Sequence, residues 1–126
     1  MENTSEILKV IIAGGRDFDD YKRLKTVCDF TLFKYDNIEI VSGGAKGADA
    51  LGERYAKEKG YEVKHFRADW DKHNKAAGPI RNKEMAEYAD ACIVFWDGLS
   101  KGTQNMIKNA SGQGLKLRVI SYFRTK

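Results

Sequence analysis

The 126-residue chain is 42% hydrophobic and 32% charged, the balance of an ordinary globular chain with enough length for a core of its own, not of a disordered one. Its 22 Lys and Arg exceed its 18 Asp and Glu by a net +4, scattered along the chain, which favours anionic partners only mildly. Two cysteines, Cys28 and Cys92, exclude a disulfide scaffold, and no apolar run approaches the roughly 18 residues that a membrane span needs.

The first residues, Met1 to Glu6, are polar and acidic, unlike a secretory leader, so a cytoplasmic location is expected. Leu8–Ala13 is β-branched and almost wholly apolar, which predicts a strand covered on both faces. Tyr21, Leu24, Cys28, Leu32 and Tyr35 recur at spacings of three and four, which predicts a helix from Asp20 to Tyr35 with Asp19 or Asp20 as its N-cap. Ile38–Val41 reads as the second strand. Gly47–Lys59 reads as the second helix, closed by Gly60, and Tyr61–Phe66 as the third strand.

The polar stretch from Arg67 to Asn82 is long for a helix–strand connection and reads as a lid, with Gly78-Pro79 starting a third helix that runs to Tyr88. Ala91–Trp96 is the fourth strand, Thr103–Ser111 the fourth helix and Leu117–Tyr122 the last strand. This alternation implies one α/β domain over residues 1–126. The expected architecture is a three-layer Rossmann-like fold with a parallel five-stranded sheet in the order 3-2-1-4-5. In that order the chain reverses direction between the first and fourth strands, and ligands of open α/β sheets bind outside the carboxyl strand ends at such a point.

Three glycine turns fall at that edge. Gly14, Gly15, Arg16, Asp17 and Phe18 follow the first strand; Arg16 offers a bidentate grip on phosphate, or pairs with Asp17 or Asp19. Ser42, Gly43, Gly44, Ala45, Gly47 and Asp49 follow the second, where a hydroxyl and free amides at a helix start suit an anion. Asp97, Gly98, Ser100, Gly102 and Thr103 follow the fourth, with Asp97 placed to accept from ribose hydroxyls or to cap the turn. The lid adds Asp69, Trp70 as a stacking surface, and Gly78, Arg81 and Asn82. Arg81 sits in the first turn of a helix, where cations are disfavoured, so an anion or an internal carboxylate is expected beside it. His65 reads as structural and His73 has nothing to position it. No residue cluster has metal-ligand spacing, and neither a G-x-G-x-x-G fingerprint nor a P-loop is present.

Five segments in order, Gly-Gly-Arg-Asp-Phe (14–18), Ser-Gly-Gly-Ala-Lys-Gly-Ala-Asp (42–49), Ala-Asp-Trp (68–70), Gly-Pro-Ile-Arg-Asn (78–82) and Asp-Gly-Leu-Ser-Lys-Gly-Thr (97–103), resemble the YspA/cpYpsA-related branch of the SLOG superfamily. That superfamily joins DNA-processing protein A and the LOG-type phosphoribohydrolases. The resemblance covers nearly the whole chain and implies a nucleotide-binding Rossmann-like fold, a homodimer (Phe30, Phe33 and Tyr35 offer an apolar face) and many members that act as nucleotide sensors in bacteria and phages. LOG-type hydrolases carry a catalytic glutamate in Gly-Thr-x-x-Glu; here Met106 stands in its place after Gly102-Thr103-Gln104-Asn105. Glycoside chemistry needs carboxylates at the reacting centre, leaving Asp97, Asp49 and Asp69 as substitutes.

The leading expectation is therefore a protein that senses or sequesters a nucleotide-derived ligand, ADP-ribose-like or a signalling nucleotide, with no further cofactor. Arg16, Arg81 and the helix starts would hold phosphates, Asp97 the ribose, and Trp70 or Phe18 the base. The alternative is an N-glycosidase or phosphoribohydrolase acting on nucleoside monophosphates. A second alternative, less favoured, is single-stranded nucleic acid along Trp70, Arg67, Lys72 and Lys75.

Overall fold

A computed structural model describes residues 6–123; the reading of Met1 to Glu6 as unlike a secretory leader falls, but for Glu6, outside them. The elements run β1 (Leu8–Gly14), α1 (Tyr21–Leu32), β2 (Ile38–Ser42), α2 (Ala48–Lys59), β3 (Glu62–His65), α3 (Trp70–His73), a 3-10 turn (Asn74–Ala76), α4 (Ala77–Tyr88), β4 (Ala91–Trp96), α5 (Lys101–Gly112) and β5 (Lys116–Ser121). All neighbouring strands pair in parallel, and the sheet order is β3-β2-β1-β4-β5. Fold class and strand order are those expected from the sequence.

Successive side chains of a strand point to opposite faces, and β1 shows this directly. Val10 and Ile12 join Leu24, Cys28, Ile40, Tyr55, Ile93 and Phe95 in the core beneath α1 and α2. Ile11 and Ala13 join Val41, Met85, Cys92, Val94 and Met106 in the core beneath α4 and α5. Val10, Ile11 and Ile12 are all 0% exposed, and each contributes about 2 kcal/mol by leaving water. Both cysteines are buried in these layers, and burial pushes each thiol up to about 12.

Differences from expectation lie at element ends. Asp20 caps α1 by accepting from the Arg23 amide at 3.0 Å, but the helix stops at Leu32, where the Tyr35 amide turns back to the Leu32 carbonyl. The lid is not an irregular loop, since Asp69 accepts from the Lys72 amide at 3.1 Å and starts the one-turn helix α3. α4 begins at Ala77, so Pro79 is the third helical residue and not the first. Proline is tolerated there because amides of the first turn have no intrahelical partner.

Registers position the site. Gly14 pairs with Phe95, so β1 and β4 end side by side, and the Gly15 amide donates to the Phe95 carbonyl at 3.1 Å. A Cβ on Gly14 would sit 2.3 Å from that same carbonyl oxygen, which only glycine permits.

Candidate functional site

At the carboxyl ends of β1 and β4, where the strand order reverses, the surface opens into a cleft of about 510 Å³. One wall is the turn after β1, the facing wall is the turn into α5, and the first turns of α3 and α4 overhang both. The size suits a small-molecule ligand.

The turn into α5 is the best-formed anion site. Asp97 Oδ1 accepts from the amides of Leu99 and Ser100 at 2.8 and 2.9 Å, and Trp96 Nε1 donates to the Ser100 carbonyl at 3.1 Å. Ser100 Oγ then accepts from the Thr103 amide at 3.3 Å and lies 3.0 Å from Thr103 Oγ1. The Lys101 and Gly102 amides have no partner among the described residues, and a Cβ on Gly102 would meet nothing within 4 Å. A helix start with open amides and room before it attracts negative charge. Across the cleft stands Arg16, exposed and without a hydrogen-bond partner among the described residues. Asp17 beside it is held by the Tyr122 hydroxyl, which donates to Oδ1 at 2.5 Å.

Arg81 plays a different part. Its Nη1 donates to the Gly43 carbonyl at 2.6 Å and its Nε to Asn82 Oδ1 at 3.1 Å, while the carboxylate expected near it is Asp49. Burial disfavours the charged guanidinium and Asp49 partly restores it. Asp49 is 6% exposed on the cleft wall; burial pushes its carboxyl up to about 6, against the lowering effects of the Ala45 amide at 3.1 Å, Arg81 and Arg16.

A profile described as the YspA, cpYpsA-related SLOG family matches residues 8–73. The Gene 61 protein of Mycobacterium phage D29 is 34% identical over 114 residues, covering 85% of this chain and 91% of that protein. This chain belongs to the YspA, cpYpsA-related SLOG family. Among solved structures, the chain is similar in fold to DNA processing protein A (DprA) from Streptococcus pneumoniae, with a TM-score of 0.73 at 19% identity over 90% of this chain. It spans 50% of that longer chain.

Of the residues singled out in sequence, the SLOG cleft gathers Gly14, Gly15, Arg16, Asp17, Ala45, Asp49, Trp70, Gly78, Arg81, Asn82, Asp97, Ser100, Gly102 and Thr103 along its lining. Phe18 needs correction: it is 3% exposed, stacked on Phe95 with ring centres 4.7 Å apart, and belongs to the core and not to a base shelf. The turn after β2 also departs from expectation. Ser42 is 0% exposed, donates to Glu53 Oε2 at 2.6 Å and accepts from the Gly44 amide, while the Ala45 amide is spent on Asp49. The Gly44 and Ala45 amides are thus satisfied internally, and Ser42, Gly43, Gly44 and Gly47 lie outside the lining. Gly98 and Asp69 lie outside it too, Asp69 serving as the α3 cap. His65 approaches Glu53 at 3.5 Å, away from the cleft.

Met106, 2% exposed, forms part of the floor beside Met85, so the cleft presents a thioether at the position where the sequence resemblance looked for a glutamate. Asn105 is a lining residue that the sequence reading passed over. The signal was available, because Asn105 lies three residues beyond Gly102 on the same helical face.

Proposed function

We propose that this SLOG protein binds a phosphorylated nucleotide derivative, ADP-ribose-like or a signalling nucleotide, and senses or sequesters it without cleaving the glycosidic bond. The observation that carries the reading is the pairing of the open α5 helix start with the uncommitted Arg16 across a cleft whose floor is Met106. Phosphate oxygens fit between the Lys101 and Gly102 amides and the Arg16 guanidinium, which bind anions in complementary ways. Trp70, 50% exposed over the α4 start, offers a face for a base, and Gly78 beneath it leaves room, since a Cβ there would stand 3.5 Å from the indole. A methionine floor supplies neither a proton nor a negative charge to an oxocarbenium-like transition state.

The test is calorimetric titration with AMP, ADP-ribose and a cyclic dinucleotide, together with mass spectrometry of molecules released by heat from protein incubated in a bacterial nucleotide extract. Binding at micromolar or tighter Kd, with the bound nucleotide recovered intact, is the expected result. Free base accumulating over many turnovers would overturn it.

That outcome defines the second reading, an N-glycosidase, which one observation favours. Asp49 is a carboxyl on the cleft wall held near pKa 6, the range of a general acid at neutral pH. Loss of turnover in Asp49→Asn with binding retained would establish it. Tight retention of single-stranded DNA at physiological salt would instead move the function to nucleic acid.

A further inference from the structure

An amide side chain has one oxygen that accepts and one nitrogen that donates twice, so its orientation follows from its partners. Two asparagines between α4 and α5, Asn82 and Asn105, are oriented by a group that can only donate, and a third, Asn109, by the backbone carbonyl to which it donates. Arg81 Nε donates to Asn82 Oδ1 at 3.1 Å, which turns Asn82 Nδ2 toward α5. There Nδ2 donates to Asn105 Oδ1 at 3.0 Å and lies 3.4 Å from the Gly102 carbonyl. Asn109 Nδ2 donates to the Asn105 backbone carbonyl at 2.9 Å and to the same Oδ1 at 3.1 Å. Both lone pairs of Asn105 Oδ1 are therefore taken, and its Nδ2 is left with no partner among the described residues on a side chain that lines the cleft.

We propose that Asn105 Nδ2 is a fixed hydrogen-bond donor that selects an acceptor oxygen on the nucleoside half of the ligand, a ribose hydroxyl or a base carbonyl. The inference rests on the nucleotide reading of the cleft and adds to it the residue that reads the ligand. Location sets the acceptor's place: Asn105 lies three residues, about 4.5 Å along the axis, beyond the Gly102 amide proposed for phosphate. Arg81, Asn82 and Asn105 form a chain with every bond pointing the same way, so each polarises the next and the free end is a strengthened donor. Reorienting that end requires breaking the bonds from Asn82 and Asn109 to Oδ1 and presenting nitrogen to nitrogen, so the amide does not adapt to a donor on the ligand. It discriminates between ligands by refusing that match.

Asn105→Asp is the decisive variant. A carboxylate oxygen still accepts from Asn82 and Asn109, while the position held by Nδ2 changes from donor to acceptor. Titrated with AMP, which offers only ribose hydroxyls, and with IMP, which adds the base carbonyl that adenine lacks, N105D is expected to bind the nucleotide that supplies the acceptor about 30-fold more weakly than wild type at unchanged Tm. Asn82→Asp keeps the bond from Arg81 but removes the donor that orients Asn105, and about a fivefold loss is expected. Wild-type protein titrated with 2′-deoxy-AMP, 3′-deoxy-AMP and IMP needs no variant at all. The analogue that shifts wild-type affinity but leaves N105D unmoved identifies the acceptor as ribose hydroxyl or base carbonyl. Wild type that binds AMP and IMP equally to a folded N105D, with no analogue distinguishing the two, overturns the role of Asn105 alone. Wild type that binds no nucleotide overturns the reading of the cleft and this inference together.

Discussion

The carbonyl of Gly15 accepts the Ala48 amide at 3.1 Å, so the turn after β1 and the start of α2 are bonded to each other behind the cleft. Gly47 makes this approach possible. Its φ is +74°, and a Cβ there would lie 2.2 Å from the Gly15 oxygen and 2.5 Å from the Arg16 carbonyl. The glycine that looked like part of an anion cradle is a packing residue holding two loops together.

Gly47→Ala is therefore expected to destabilise the fold, by about 3 kcal/mol from strain and overpacking combined. Chemical denaturation measures it, and a variant as stable as wild type would show that the loops separate easily. By contrast Gly102→Ala, at an open helix position, should leave the folding free energy within about 0.5 kcal/mol.

Asp49 makes stability depend on pH with a definite sign. Its folded pKa of about 6 lies above the ordinary aspartate value of 3.8, so the native state binds the proton more tightly than the unfolded chain. The contribution of Asp49 is then greatest below the unfolded value and is lost as pH rises from about 4 to about 6, in total about 3 kcal/mol. Asp49→Asn retains an oxygen for the Ala45 amide and should remove this slope, raising stability at pH 7.5 by about 1 kcal/mol. Urea titrations of both proteins between pH 4 and 7.5 provide the comparison. A bound phosphate adds repulsion to an ionised Asp49, so AMP should bind more tightly at pH 5.5 than at 7.5 in wild type, and without that trend in D49N.

Arg16 and Arg81 separate recognition from architecture. Arg16→Ala removes an exposed guanidinium with no hydrogen-bond partner among the described residues, and should weaken AMP binding about tenfold without changing Tm. Arg81→Ala removes donors from the Gly43 carbonyl and from Asn82, and should lower stability by about 2 kcal/mol as well as affinity. Equal loss of stability in both variants would contradict the division.

Trp70 should report the ligand optically. It is half exposed over the α4 start, whereas the Trp96 indole is held on the Ser100 carbonyl. Stacking of a base should quench Trp70 emission, and Trp70→Ala should abolish the response and cost about fivefold in affinity. A response that persists in W70A would move the base elsewhere in the cleft.

Strands and their order were legible because each of β1, β2 and β4 is a short apolar run bounded by polar or small residues, and helix periodicity marked the segments between them. The glycine turns after β1 and β4 were legible as cleft walls for the same reason, since strand ends at the reversal point lie together. What spacing could not convey was how backbone donors are spent. Ser42 reads as a phosphate ligand until Glu53, a helical turn into α2, is seen to take its hydroxyl. Phe18 reads as a loop aromatic until Phe95 is seen beneath it. The place of Asn105 on the Gly102 face of α5 was legible, but its hydrogen-bond role was not, because that depends on Arg81 and Asn82, more than twenty residues earlier.

The bond from the Tyr122 hydroxyl to Asp17 joins residues 105 positions apart, the first loop of the cleft to the end of the last strand. The Arg16 loop thus leans on a residue that is translated only after β5. A nascent chain that stops short of Tyr122 lacks this restraint on the wall that faces α5. The hold of Arg16 on a ligand accordingly depends on β5 being in place, and Tyr122→Phe should loosen it while leaving the sheet order intact.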